Sequence, residues 1–272
     1  MNRNAACCLT LIVLLAACAS PATTNISTEI PLTTANLPAV PTLAAASLPQ
    51  ATMTVTVIPP CEAAQKANLK IMPLGDSITY GNGDLDYGGY RNLLGTLLAS
   101  DGYLIDFVGS QQSGEGVISD PDNEGCPGWR ILNIKSGIDS EGWLETYQPD
   151  IILLHIGSND LRYGNGIYAP DNLSALLDDI LVRLPQVYVI VAQIIPTRWG
   201  ADSNHRLFND AIPGVVASKG THVSIVDMQN ILSKNDFMTL YHPSAGGYDK
   251  MAYTWESAIL ALEFETGCFT SR

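Results

Sequence analysis

The chain has 272 residues, 46% of them hydrophobic, and a net charge of −13 from 14 basic and 27 acidic side chains. That is enough apolar material for one good-sized domain with a buried core, or at most two small ones. The acidic balance and the lack of a basic run exclude the electrostatic footprint of a nucleic-acid binder.

The first residues combine Arg3 with an apolar stretch from Leu9 to Leu15 and small residues ending at Cys18. The stretch suits the apolar core of an export signal and falls short of the ~20 residues needed to span a bilayer. Residues 1–17 are expected to be a signal peptide. Residues 19–60 hold seven prolines, nine threonines and a single charged side chain, Glu29. Such a segment buries too little apolar surface to offset its ordering entropy, so it is expected to be an extended tether. The folded domain is expected over 61–272.

Within that domain, short apolar runs recur at 69–75, 104–110, 150–157, 187–194 and 222–228, separated by segments with helical spacing. Nearly continuous Val, Ile and Leu runs suit strands covered on both faces, and the alternation predicts an α/β fold built on a parallel sheet. The last helix is the clearest. Tyr248, Met251, Ala252, Trp255, Ala258, Ile259 and Leu262 form one apolar stripe, with Pro243-Ser244 as its start signal.

Open parallel sheets bind ligands beyond the carboxyl ends of their strands. Four unusual groups fall there: Gly75-Asp76-Ser77 after the first strand, Gly109 after the second, Gly157-Ser158-Asn159-Asp160 after the third, and His242-Pro243 before the last helix. Taken singly, Ser77 reads as a helix cap, His242 as a turn residue and Asn159 as a turn or cap. Together they resemble the SGNH (GDSL-type) hydrolase superfamily. IMPLGDSITYG, YGGYR, DFVGS, EGCPGW, LLHIGSNDL and HPSAGGYDKMA are similar to the carbohydrate esterases of family three, which include acetyl xylan esterases. The cysteine at the end of Leu15-Ala16-Ala17-Cys18 resembles the acylated residue of a bacterial lipobox, which implies a surface lipoprotein anchored through Cys18.

The resemblance implies a three-layer α/β/α, flavodoxin-like fold with a five-stranded parallel sheet and a serine esterase acting on O-acetylated polysaccharide or another small ester. Ser77 would be the nucleophile and His242 its base. The amides of Ser77 and Gly109 with the Asn159 side chain would form the oxyanion hole, with glycine at 109 keeping substrate approach open. Asp76 and Asp160 are expected to organise loops by accepting from backbone amides. A monomer without metal or cofactor, touching the membrane only through its lipid, is expected. The alternatives are a lipid or short-chain esterase and a non-catalytic carbohydrate-binding lipoprotein.

Two positions depart from the family. The aspartate three residues before the histidine is replaced by Thr239, and a loop histidine is replaced by Cys126. His242 is therefore expected to rely on the Thr239 hydroxyl or a backbone carbonyl, to borrow Asp236, or to work poorly. Cys61 and Cys268 at the two domain ends are expected to pair, leaving Cys126 a lone, partly buried thiol. His155 is expected to be core or packed beneath the site, and His205 and His222, with no carboxylate or Cys partner at metal-ligand spacing, are not expected to hold a metal. Trp129, Trp143, Trp199 and Tyr241 are expected to pack, although they have the shape to stack on sugars.

Overall fold

The structure, a computed structural model, describes residues 68–163 and 166–266, with side chains to 262. The expected signal peptide, Cys18, the 19–60 tether, Cys61 and Cys268 lie outside the described residues.

Seven strands form one sheet: β1 (Asn68–Gly75), β2 (Leu104–Phe107), β3 (Gln111–Gln112), β4 (Asp122–Gly125), β5 (Ile151–His155), β6 (Tyr188–Ala192) and β7 (Val223–Val226). The five expected strands run parallel in the order β2-β1-β5-β6-β7. The sheet exceeds five because β4 also pairs parallel with β1, and β3 pairs antiparallel with β4. Both added strands are short and polar, reading QQ and DNEG, so neither carries the apolar signature by which strands are recognised in sequence.

The helices are α1 (Ser77–Tyr80), α2 (Tyr90–Ser100), α3 (Ile131–Glu141), α4 (Trp143–Tyr147), α5 (Ser158–Tyr163), α6 (Ala169–Arg183), α7 (Ser203–Ala217) and α8 (Ala245–Thr266). Side-chain alternation along the strands divides the core in two. Met72, Leu74, Ile152, Leu154, Val189 and Val191 pack under α3, α6 and α7, whereas Leu69, Ile71, Ile151, Leu153, Ile190 and Ala192 pack under α2 and α8. The expected stripe of α8 is buried on that second face, with Trp255 and Ile259 fully enclosed. The result is three layers, with the sheet covered on both sides.

One strand changes partner along its length. Residues 68–71 of β1 pair with β2, and the Ile71 carbonyl accepts from Val108 N at 2.9 Å. Leu74 and Gly75 pair instead with β4, and the Gly75 carbonyl accepts from Cys126 N at 3.0 Å. Pro73 stands between the two registers on the same edge, where its missing N–H removes no ladder bond. The consequence is that β4, not β2, borders the carboxyl end of β1.

Candidate active site

The chain turns sharply where β1 ends. A Cβ on Gly75 would lie 2.3 Å from the His155 carbonyl oxygen and 2.5 Å from Thr79 Oγ1, so only glycine lets α1 start this close to β5. Asp76 caps α1, its Oδ1 accepting from Ile78 N at 2.9 Å. Ser77 is therefore the first helical residue, with Asp76 and not Ser77 as the cap. Asp76 is fully buried, and that burial pushes its carboxyl up to about 7.

Ser77 lines a cleft of about 210 Å³ at the carboxyl ends of the strands. Its Oγ lies 2.9 Å from Nε2 of His242, 165 positions later in the chain. The loop carrying His242 closes on itself, the His242 carbonyl accepting from Met238 N at 3.0 Å and Thr239 N at 3.2 Å. Burial, and then the positive charge of Arg162, hold the His242 imidazole below its ordinary pKa, so it stands neutral and ready to accept a proton.

The far side of the imidazole faces Thr239, whose Oγ1 lies 3.1 Å from Nδ1. The same oxygen accepts from His242 N at 3.0 Å and Tyr241 N at 3.3 Å. A hydroxyl oxygen has two acceptor sites, so three donors compete for it, where a carboxylate would satisfy all of them. Asp236 does not take over this role. Its Oδ2 accepts from Ser233 N and Ser233 Oγ and pairs with Lys250 at 2.7 Å, which holds its carboxyl below the usual range. The borrowed-aspartate expectation is thereby corrected: this side chain closes its own turn and ties it to α8.

Asn159, at the start of α5, lines the cleft with its Nδ2 donating to the Trp129 carbonyl at 2.9 Å and, more weakly, to Asp76 Oδ2 at 3.3 Å. The second contact is long enough for another oxygen to replace. Asp160 accepts from Ile131 N at 3.1 Å, so both aspartates hold backbone amides as expected.

Gly109 requires a correction. It is absent from the residues bordering the cleft, and a Cβ there would lie 2.1 Å from the Asn123 carbonyl oxygen and 2.8 Å from Glu124 N. Glycine at 109 lets β4 lie against the chain leaving β2; substrate access is not the reason. The glycine at the cleft is Gly128, in the loop after β4, with φ of 84° and no atom within 4 Å of a Cβ position. Gly128 stands in EGCPGW, but the short polar strands β3 and β4 that carry this loop to the cleft leave no apolar pattern in the sequence.

Cys126 opens that loop. It is buried and disulfide-bonded, not a lone thiol. It is the one cysteine among the described residues, so its partner lies outside them. His155 is buried at the end of β5, its Nε2 accepting from Ile195 N at 3.3 Å, and burial lowers its pKa to about 4. His222 stacks on Tyr188, and Trp129 packs against Trp143. His205, Arg162 and Tyr241, by contrast, line the cleft, and Trp199 is 78% exposed. Among the described residues no group of three His, Cys, Asp or Glu side chains forms a metal site.

A serine bonded to a neutral histidine at a sheet's carboxyl edge, with an asparagine amide beside them, is the arrangement that the motif order implied. The model of the GDSL-like Lipase/Acylhydrolase family matches residues 74–250. The chain belongs to this family. Its similarity extends to a family 3 carbohydrate esterase of Clostridium thermocellum, at 38% identity and a TM-score of 0.67, covering 75% of this chain and all of that one. An acetyl esterase mutant solved with acetate ion is 28% identical with a TM-score of 0.60, over 73% of this chain and 99% of that one. The multidomain esterase of Ruminococcus flavefaciens is 33% identical over 243 residues, 78% of this chain. The chain spans only 31% of that relative's length.

Proposed function

We propose that this GDSL-family hydrolase is a serine esterase that removes O-acetyl groups from polysaccharide. The observation that carries the reading is the 2.9 Å contact between Ser77 Oγ and His242 Nε2 inside the cleft. Its relatives' names, carbohydrate esterase and acetyl esterase, support the substrate class.

In the reaction His242 Nε2 takes the Ser77 proton as Oγ bonds to the acetyl carbon. The carbonyl oxygen gains the negative charge, met by the Ser77 amide, the Gly128 amide and Asn159 Nδ2. Collapse breaks the bond to the sugar oxygen, which leaves with the proton from Nε2. Water then repeats the sequence on acetyl-Ser77 and releases acetate. Throughout, Nδ1–H stays on the imidazole and donates to Thr239, which orients the ring without supplying negative charge. The sequence adds the proposal that Cys18 is acylated and that residues 19–60 tether the enzyme at a membrane surface.

Release of 4-nitrophenol from its acetyl ester by the full chain tests the reading. Ser77→Ala should lose on the order of 10⁴-fold or more in kcat, and Thr239→Asp should gain roughly tenfold or more. Equal rates for wild type and Ser77→Ala would instead favour a carbohydrate-binding protein, the reading that the missing carboxylate at Thr239 keeps open.

A further inference from the structure

One charged side chain in the cleft has no part in the ester chemistry. Arg162, near the end of α5, borders the same cavity as Ser77 and His242. Its guanidinium lies 3.8 Å from the Tyr241 ring centroid and 4.4 Å from that of Tyr163. Those stacking contacts are its partners; among the described residues no carboxylate pairs with it and no acceptor takes its N–H groups. Arg183, by comparison, engages Asp139, Glu145 and Asp179. Arg91, Arg130, Arg198 and Arg206 likewise form no ion pair among the described residues, but none of them borders the cleft, so Arg162 is set apart by its place there.

Nor does the cleft itself offer an anion. Asp76 is the one carboxylate among its described lining residues, and its two oxygens face Ile78 N and Asn159. Arg162 also works against the chemistry, because its charge lowers the basicity of His242 and opposes the imidazolium that forms during turnover. Stacking engages the faces of a guanidinium and leaves its five in-plane N–H donors, the edge that grips a carboxylate with two parallel bonds. The adjoining rings, Tyr163 at 56% exposure and Tyr241, give the apolar face of a sugar a surface to lie on.

We propose that Arg162 is a specificity-determining residue that binds the carboxylate of a uronic acid unit, so that the preferred substrate is an acidic acetylated polysaccharide and not a neutral one. This rests on the esterase reading of the cleft. The chain's own net negative charge does not prevent it, because charges beyond about 8 Å are largely screened at physiological ionic strength. The adjacent cation then governs the encounter.

The test compares kcat/KM of the full chain on acetylated xylo-oligosaccharides with and without a glucuronic acid branch, at a pH where His242 is neutral in every variant. Wild type should favour the acidic substrate by about tenfold. Arg162→Gln should remove the preference, Lys135→Gln on α3, losing the same charge elsewhere, should keep it, and added salt should weaken it. Turnover of both substrates at the same ratio in wild type and Arg162→Gln overturns the inference and leaves the esterase intact. An Arg162-dependent preference confined to 4-nitrophenyl succinate over the acetate places the carboxylate on the acyl side and overturns the uronate assignment. Calorimetric titration of Ser77→Ala with the deacetylated oligosaccharides reads the same preference without turnover. Tighter, Arg162-dependent binding of the acidic one sustains the inference even if no ester is cleaved, and equal binding refutes it.

Discussion

At Thr239 one side chain replaces a negative charge with a hydroxyl already shared by two backbone amides. The imidazole it supports is held below its ordinary pKa by burial and by Arg162. A base works only when unprotonated, so the acid limb of kcat/KM should fall below the ~6.5 of an unperturbed histidine. Thr239→Asp places an anion beside Nδ1 and favours the protonated ring. Its acid limb should move to higher pH while kcat rises, and a pH profile of both proteins measures the two effects separately. Ser77, Asn159 and His242 were legible because each stands in a motif whose order carries the information. Gly109 was misassigned because the strand bordering the end of β1 is a property of the sheet; no local pattern in DNEG announces β4.

Among the elements, α2 does more than cover the sheet. Its Arg91 is buried and donates to the carbonyls of Pro121 at 2.9 Å, Tyr87 at 3.0 Å and Ser113 at 3.1 Å, to Ser113 Oγ at 2.6 Å and, at longer range, to the Tyr80 carbonyl. These acceptors come from the end of α1, the turn before α2, the exit of β3 and the entry to β4. One guanidinium thus gathers the segments that flank the serine turn. Burial, opposed by the neighbouring Tyr90 and Asp120, lowers its pKa to about 10, still well above neutrality, so it stays charged. Arg91→Met should lower stability by about 3 kcal/mol or more, because several buried carbonyls lose a charged donor together. Arg91→Lys should recover little of it, since an ammonium cannot span the same acceptors; urea unfolding of the three proteins decides this. YGGYR was visible as a motif in the sequence, but its acceptors are backbone atoms, which no residue type advertises.

For the molecule as a whole, the fold class, the five main strands and the buried stripe of α8 followed from hydrophobic periodicity, because burial on two faces leaves a strong mark on strand composition. The buried acids left no such mark. Burial pushes Asp76 and Glu124 each up to about 7. Between the unfolded carboxyl value near 4 and pH 7, the folded state therefore holds protons that the unfolded chain has released, so these groups favour folding at low pH and lose that contribution as pH rises. His155, lowered to about 4, acts oppositely, losing its contribution as pH falls from about 6.5 through 4. Glu124→Gln keeps an acceptor for Ser110 N and replaces the oxygen that accepts from Ser110 Oγ with an amide that can donate to it, while removing one ionisation. The difference in Tm between this variant and wild type should grow in the variant's favour from about pH 4.5 to 7, and a constant difference across that range would refute the assignment.

The partner change at Pro73 also bears on how such a fold diversifies. Because β2 occupies the lower half of that edge of β1 and β4 the upper, the segment between them meets β1 at Leu74 and Gly75 and is otherwise held by Arg91, which binds the carbonyls of Ser113 and Pro121, and by Ser113 Oγ donating to the Tyr80 carbonyl. A different segment could be spliced between the end of β2 and α3 without renumbering a single pairing among β2, β1, β5, β6 and β7. The wall of the cleft can be exchanged wherever the replacement still offers Arg91 its acceptors, and substrate range can drift while the framework that carries Ser77 stays fixed.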